Sequence, residues 1–135
     1  MLNKILCVDD DPITLMLCRK VITRANFSRH TDAAQNGEDA LHYFDNLILQ
    51  QNEEDFPELI FLDLNMPVMG GWEFLDNFSK TYAHFFPNTK VIVLSSTIDP
   101  QDVEKAKTYS MVLDFMSKPI TIEMLEELKS RFYNA

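Results

Sequence analysis

Five short apolar runs alternate along this chain with five longer stretches whose apolar residues recur every three or four positions. The runs span residues 4–8, 27–34, 59–62, 90–94 and 111–116. Short apolar runs bounded by turn residues read as strands, and those without polar alternation read as strands buried on both faces. The second run is the exception. Ser28, Arg29, His30 and Thr31 make it polar, which places it near or at a sheet edge.

The helical stretches carry their own start signals. Asp11-Pro12 and Asp99-Pro100 each join a capping carboxylate to a proline suited to the first helical position. The first helix is expected to reach about residue 25, with Ile13, Met16, Leu17 and Val21 inward. Asn36-Gly37 turns into a second helix facing inward through Ala40, Leu41, Phe44, Leu47 and Ile48. The third follows Gly70-Gly71, with Trp72, Leu75, Phe78, Tyr82 and Phe85 inward, until Pro87-Asn88 breaks it. The fourth, to about residue 109, offers only Val103 and Ala106 and so is expected to pack loosely. Thr121 opens the last, with Ile122, Leu125, Leu128 and Phe132 inward. Strict alternation of strand and helix predicts an α/β fold: a doubly wound five-stranded parallel sheet with helices on both faces.

At 135 residues the chain fits a single domain. No apolar run is long enough to span a membrane. The N-terminus lacks a basic region followed by a sustained apolar stretch, so a cytoplasmic location is expected. With 21 acidic and 12 basic residues, the formal charge of −9 argues against nucleic-acid binding and for a metal or a basic partner surface. Cys7 and Cys18 lack metal-ligand spacing and read as small core residues.

The chemistry collects where strands end. Asp9-Asp10, Asp63, Ser95 and Lys118 each follow an apolar run. A parallel sheet brings strand C-termini to one edge, where ligands bind in open α/β folds. Alone, Asp63 reads equally as a strand-ending residue that accepts loop N–H bonds. Asp11 is explained by capping, but Asp9 and Asp10 are not. Three carboxylates without His or Cys favour a hard cation held by oxygens, Mg²⁺ above all or Mn²⁺, to which the Asn65 carbonyl can add. A lysine and a hydroxyl beside that cluster suit phosphoryl oxygens, leaving Asp63 as an acyl-phosphate nucleophile.

Taken together, Asp9-Asp10, the segment Leu-Asp63-Leu-Asn65-Met-Pro67-Val-Met-Gly-Gly71, Ser95 and Lys118-Pro119 resemble the receiver domain of two-component response regulators. The resemblance runs the length of the chain and implies a flavodoxin-like strand order 2-1-3-4-5. It implies phosphoryl transfer to Asp63 from a phosphohistidine on a sensor histidine kinase or histidine phosphotransfer protein. Asp10, Asp63 and the Asn65 carbonyl would hold the metal directly, Asp9 mainly through water. Lys118 and Ser95 would bind phosphoryl oxygens, and the Lys118–Pro119 bond would be cis. Ser95 moving toward the phosphoryl group would draw the loop before the fourth helix, and Phe115 would turn into the space. Phe115 otherwise reads as a plain strand residue. Asn65 and Thr97 match positions that tune phosphoryl lifetime, and Gly70 departs from a common Asp.

Such a protein is no enzyme beyond self-catalysed acceptance and hydrolysis. Its readout would be a protein partner docking on the fourth helix, fifth strand and fifth helix, or onward phosphorelay, as a monomer or a phosphorylation-dependent dimer. With neither a DNA-binding nor an enzymatic segment in 1–135, a stand-alone receiver is expected. The alternative is a receiver-like interaction module that works without phosphorylation. A carboxylate-nucleophile phosphatase would want Asp-x-Asp after an early strand, and a flavin phosphate would be repelled by Asp9-Asp10-Asp11. His30, His42 and His84 fall in a strand-and-helix chain, unlike the bundle of a phosphotransfer protein, and read as surface residues.

Overall fold

The computed structural model describes residues 1–133. Five strands, β1 (Leu2–Val8), β2 (Ser28–Ala34), β3 (Leu59–Asp63), β4 (Lys90–Ser95) and β5 (Val112–Ser117), form one sheet in the order β2-β1-β3-β4-β5. Every neighbouring pair is parallel. Between them run α1 (Pro12–Arg24), α2 (Gly37–Gln50), α3 (Gly71–Asn77) and α4 (Pro100–Ala106), and α5 (Ile122–Tyr133) follows β5. Polar β2 is an edge strand, as expected. Among the described residues no helix is long and apolar enough to cross a membrane.

Successive strand residues point to opposite faces, which is why the central strands are apolar throughout. Leu6, Val8, Ile60, Leu62, Val91 and Val93 face one core layer with Phe44, Phe74 and Phe78. Ile5, Cys7, Leu59, Phe61, Ile92 and Leu94 face the other with Ile22, Leu125 and Leu128. The helix starts form as their residues dictate. Asp11 accepts from the Ile13 N–H at 2.9 Å, Asn36 from Asp39 at 2.8 Å and Asp99 from Gln101 at 2.9 Å.

Three inward faces differ from expectation. In α1 the buried residues are Leu15, Cys18 and Ile22; Met16 and Leu17 are exposed, and Ile13 is 63% exposed. This helix is apolar nearly all round, so spacing alone does not select the inner stripe. The third helix buries Phe74 and Leu75 but does not run to Pro87, and beyond it Phe86 is buried while Phe85 is 45% exposed. A π turn over Phe78–Tyr82, closed by the Ala83 N–H to the Phe78 carbonyl at 2.8 Å, inserts one residue into the helical phase. The helix ends there, and two turns, Phe85 N–H to the Tyr82 carbonyl at 2.9 Å and Phe86 N–H to the Ala83 carbonyl at 3.1 Å, carry Phe86 rather than Phe85 into the core. Ile122, in the first turn of α5, is also exposed, whereas Leu125 and Leu128 are buried as expected. α4 ends three residues early and buries only Ala106.

Candidate functional site

Sheet register gathers the strand-end residues. Asp63 closes β3 opposite Leu94, and Ser95 closes β4 opposite Ser117. The Lys118 N–H donates to the Ser95 carbonyl at 2.9 Å, carrying the next residue of the β5 segment to the same edge. The Lys118–Pro119 peptide is cis. Lys118 Nζ lies 2.5 Å from Asp9 Oδ2 and 3.2 Å from Asp63 Oδ1. One carboxylate oxygen from each of Asp9, Asp10 and Asp63 lies within 4.8 Å of the others.

The three acids are unequal. Asp9 is buried, with its second oxygen accepting from the Asp11 N–H at 3.0 Å. Asp63 is 6% exposed. Asp10 is exposed. Burial, reinforced by the Asp9 charge, holds the Asp63 carboxyl above the ordinary carboxylate range despite Lys118 and the Asn65 N–H. Burial would lower the Lys118 ammonium, but its hydrogen bond to Asp9 and the Asp63 charge outweigh that and raise it. One ammonium against three carboxylates leaves two negative charges uncompensated. An all-oxygen, doubly negative cluster fits a hard divalent cation.

Ser95 Oγ is buried and accepts from the Thr97 N–H at 3.3 Å, so its hydroxyl is engaged in its own loop. Phe115 is half-buried in β5, packed on the Phe44 layer beside a cavity of about 120 Å³ that separates it from Val103 and Ala106 of α4. The loop after Asp63 is tied at both ends: the Gly71 N–H donates to the Leu64 carbonyl at 2.9 Å and the Gly37 N–H to Met69 at 2.8 Å. Between these ties Val68 is held at φ 71°, unfavourable for a β-branched residue. Gly70 caps α3 without a side-chain hydrogen bond, where an Asp would supply one.

Two features escaped the reading of the sequence. The direct Lys118–Asp9 pair was one, although opposite charges ending nearby strands were its signal. Gly71 was the other. A Cβ there would lie 2.7 Å from the Asp63 carbonyl oxygen, so the second glycine exists for close backbone approach.

Because the folded Asp63 carboxyl binds its proton more tightly than in the unfolded chain, this group's contribution is best at acid pH. It worsens as pH rises through the window above the ordinary Asp value. The penalty is complete once the pH exceeds the folded value. Asp63→Asn is therefore expected to stabilise the metal-free protein at neutral pH. Thermal melts should show that gain disappearing below pH 4, roughly the unperturbed carboxylate value. Equal melting of the two proteins at neutral pH would contradict it.

The response regulator receiver domain family matches residues 5–129, and the chain belongs to it. A two-component response regulator from Cytophaga hutchinsonii superposes with a TM-score of 0.89 at 28% identity, covering 99% of this chain and 98% of that one. The structure of a CheX-CheY-BeF3-Mg²⁺ complex from Borrelia burgdorferi matches with a TM-score of 0.74 at 26% identity, over 96% and 89% of the two chains. A two-component response regulator of Oryza sativa subsp. indica is 27% identical over 125 residues, 93% of this chain. The chain spans only 18% of that relative's length. The fold is thus CheY-like, and the class is the receiver domain of two-component response regulators.

Proposed function

We propose that this chain accepts a phosphoryl group on Asp63 from a phosphohistidine of a sensor histidine kinase or histidine phosphotransfer protein, with Mg²⁺ or Mn²⁺ as cofactor. The observation that carries the reading is the buried Asp63 carboxylate, 3.2 Å from Lys118 and grouped with Asp9 and Asp10. An Asp63 oxygen attacks phosphorus; the new P–O bond replaces the donor's P–N bond, and that electron pair returns to the imidazole nitrogen. Lys118 shifts its contact from carboxylate to a phosphoryl oxygen. Asp10, Asp63 and the Asn65 carbonyl would hold the cation, with Asp9 behind them. When bound, it supplies charge neutralisation and orientation of the phosphoryl oxygens.

The reaction is stoichiometric and self-catalysed, so the chain is an acceptor and not an enzyme in the turnover sense. Ser95 gives up the Thr97 N–H to bind the phosphoryl group, drawing the loop before α4. Phe115 takes the cavity between β5 and α4, and the α4–β5–α5 face passes the change to a protein partner. Exposed Ile98, Leu113 and Ile122 give that face apolar contact area. Support for a protein donor comes from Ile13, Met16 and Leu17, exposed on α1 just after the acidic pair. Support for the cofactor comes from the Mg²⁺ in the Borrelia complex.

Intact mass after incubation with acetyl phosphate tests the reading. A gain of one phosphoryl group is expected with Mg²⁺, and none with a chelator or in Asp63→Asn. Equal labelling of Asp63→Asn would move the acceptor elsewhere. A folded protein unlabelled by both acetyl phosphate and a purified phosphohistidine donor would leave the phosphorylation-independent module standing.

A further inference from the structure

The chain is acidic as a whole, but its charge is unevenly spread. Residues 12–31, which form α1 and the start of β2, hold Arg19, Lys20, Arg24 and Arg29 and no aspartate or glutamate. Four positive charges there, within a total of −9, leave −13 on the rest of the chain. All four residues are exposed. Among the described residues none of the four pairs with a carboxylate, whereas Lys4, Lys107, Lys118, Lys129 and Arg131 each do. The fold gathers them. Arg19, Lys20 and Arg24, with Thr23, bound a shallow depression on the outer side of α1. Ala33 of β2 packs in the same core layer as Leu15, Cys18 and Ile22, so the two-residue period of the strand places Arg29 on the face that α1 covers. The helix dipole accounts for Arg24, in the last turn of α1, and for no other member.

We propose that the basic half of α1, with Arg29, is a docking surface for an acidic amphipathic helix of a partner protein. Ile13, Leu17, Lys20 and Arg24 follow one another at spacings of four, three and four, which aligns them on one exposed line of the helix. Over about 16 Å that line passes from apolar to basic. A partner helix laid along it meets Ile13 and Leu17 with its apolar end and Lys20 and Arg24 with carboxylates, while Arg19 and Arg29 flank the contact. Charge complementarity selects this occupant. A long polyanion or the plane of an anionic membrane would extend past the patch onto a surface dominated by the remaining −13 and be repelled. Nucleic-acid phosphates would also gain nothing from the apolar half. A short acidic helix stays within the patch and uses both halves.

The contact is one of charge and apolar area and stands whether or not Asp63 accepts phosphate. The test is fluorescence anisotropy of a labelled synthetic helix of glutamate and leucine titrated with the full chain, beside poly-uridine RNA and phosphatidylserine vesicles. The peptide is expected to bind, and to weaken roughly 10-fold between about 0.1 and 1 M salt, as the screening length falls from about 10 to 3 Å. Neutralising the patch with Arg19→Gln, Lys20→Gln, Arg24→Gln and Arg29→Gln together should weaken binding at least ~10-fold. A control losing the same charge elsewhere, through Lys80→Gln, Lys105→Gln, Lys107→Gln and Lys129→Gln, should bind like the wild type. Equal weakening of the two variants overturns the proposal, because net charge would then be the cause. So does absence of peptide binding at the lower salt, tighter binding of the RNA or the vesicles, or self-association of the chain through the same four residues. The salt titration and the comparison of ligands use the wild type and depend on no variant folding.

Discussion

Lys118→Met is expected to slow acetyl-phosphate labelling of Asp63 by roughly 10²–10³-fold and to destabilise the metal-free protein by about 3–5 kcal/mol. The first effect follows from removing the one cation placed to meet charge on the transferred group. The second follows from burial. Asp9 and Asp63 both lie inside the sheet edge, and Lys118 Nζ bridges them at 2.5 and 3.2 Å. Without it, two buried carboxylates face each other, and breaking a buried pair leaves an uncompensated charge. Methionine keeps most of the side chain's volume, so the loss is one of charge.

The pH dependence has a definite sign. Lys118 is raised in the folded protein, so its stabilisation is complete below the ordinary lysine value and fades as pH rises through the folded one. In Lys118→Met the Asp63 carboxyl rises further and protonates sooner on acidification. The stability gap between wild type and variant should therefore narrow as pH falls from 7 toward 4, values that run from neutrality to about the unperturbed Asp pKa. Mg²⁺ should narrow it too, by binding the folded state. Melts with and without Mg²⁺ across that range decide the matter; a gap independent of both would place the penalty in packing.

Gly71→Ala is expected to cost about 2–3 kcal/mol and to reduce Asp63 labelling in proportion to the displaced loop. Its Cβ would fall 2.7 Å from the Asp63 carbonyl oxygen and 2.9 Å from Leu64 Cα. Both are backbone atoms, so no rotamer change relieves the clash. The φ at this glycine is not positive, so the requirement is one of space. Gly37→Ala is the internal control, because its nearest neighbour is the flexible Met69 Cγ at 2.7 Å. Denaturant melts should rank Gly71→Ala well below Gly37→Ala. Equal stability of the two would show that the β3–α3 loop shifts freely.

The convergence of Asp9, Asp10, Asp63 and Lys118 was legible because it depends on strand ends and parallel topology, which apolar runs encode directly. Helix faces were less so. In α1, Ile13, Met16 and Leu17 offer as good a stripe as Leu15, Cys18 and Ile22, and only docking on the sheet chooses between them. The burial of Phe86 in place of Phe85 follows from the helix ending at Tyr82 in a π turn, which the aromatic spacing up to Pro87 did not signal. Engagement of the Ser95 hydroxyl by Thr97 likewise arises only once tertiary packing fixes side-chain direction.

Trp72 is the single tryptophan of the chain. Its indole stacks on Tyr109 at 6.1 Å between ring centres, and Lys105 Nζ stands 4.5 Å from its centre. Tyr109 donates to Asp76 at 2.5 Å. The sole indole is thus wedged between α3 and the C-terminal end of α4, a helix with one buried residue. Any shift of α4 slides the ammonium and phenol off the ring and alters its quantum yield and emission maximum. The protein carries an optical gauge of the position of α4, readable in a cuvette without a label.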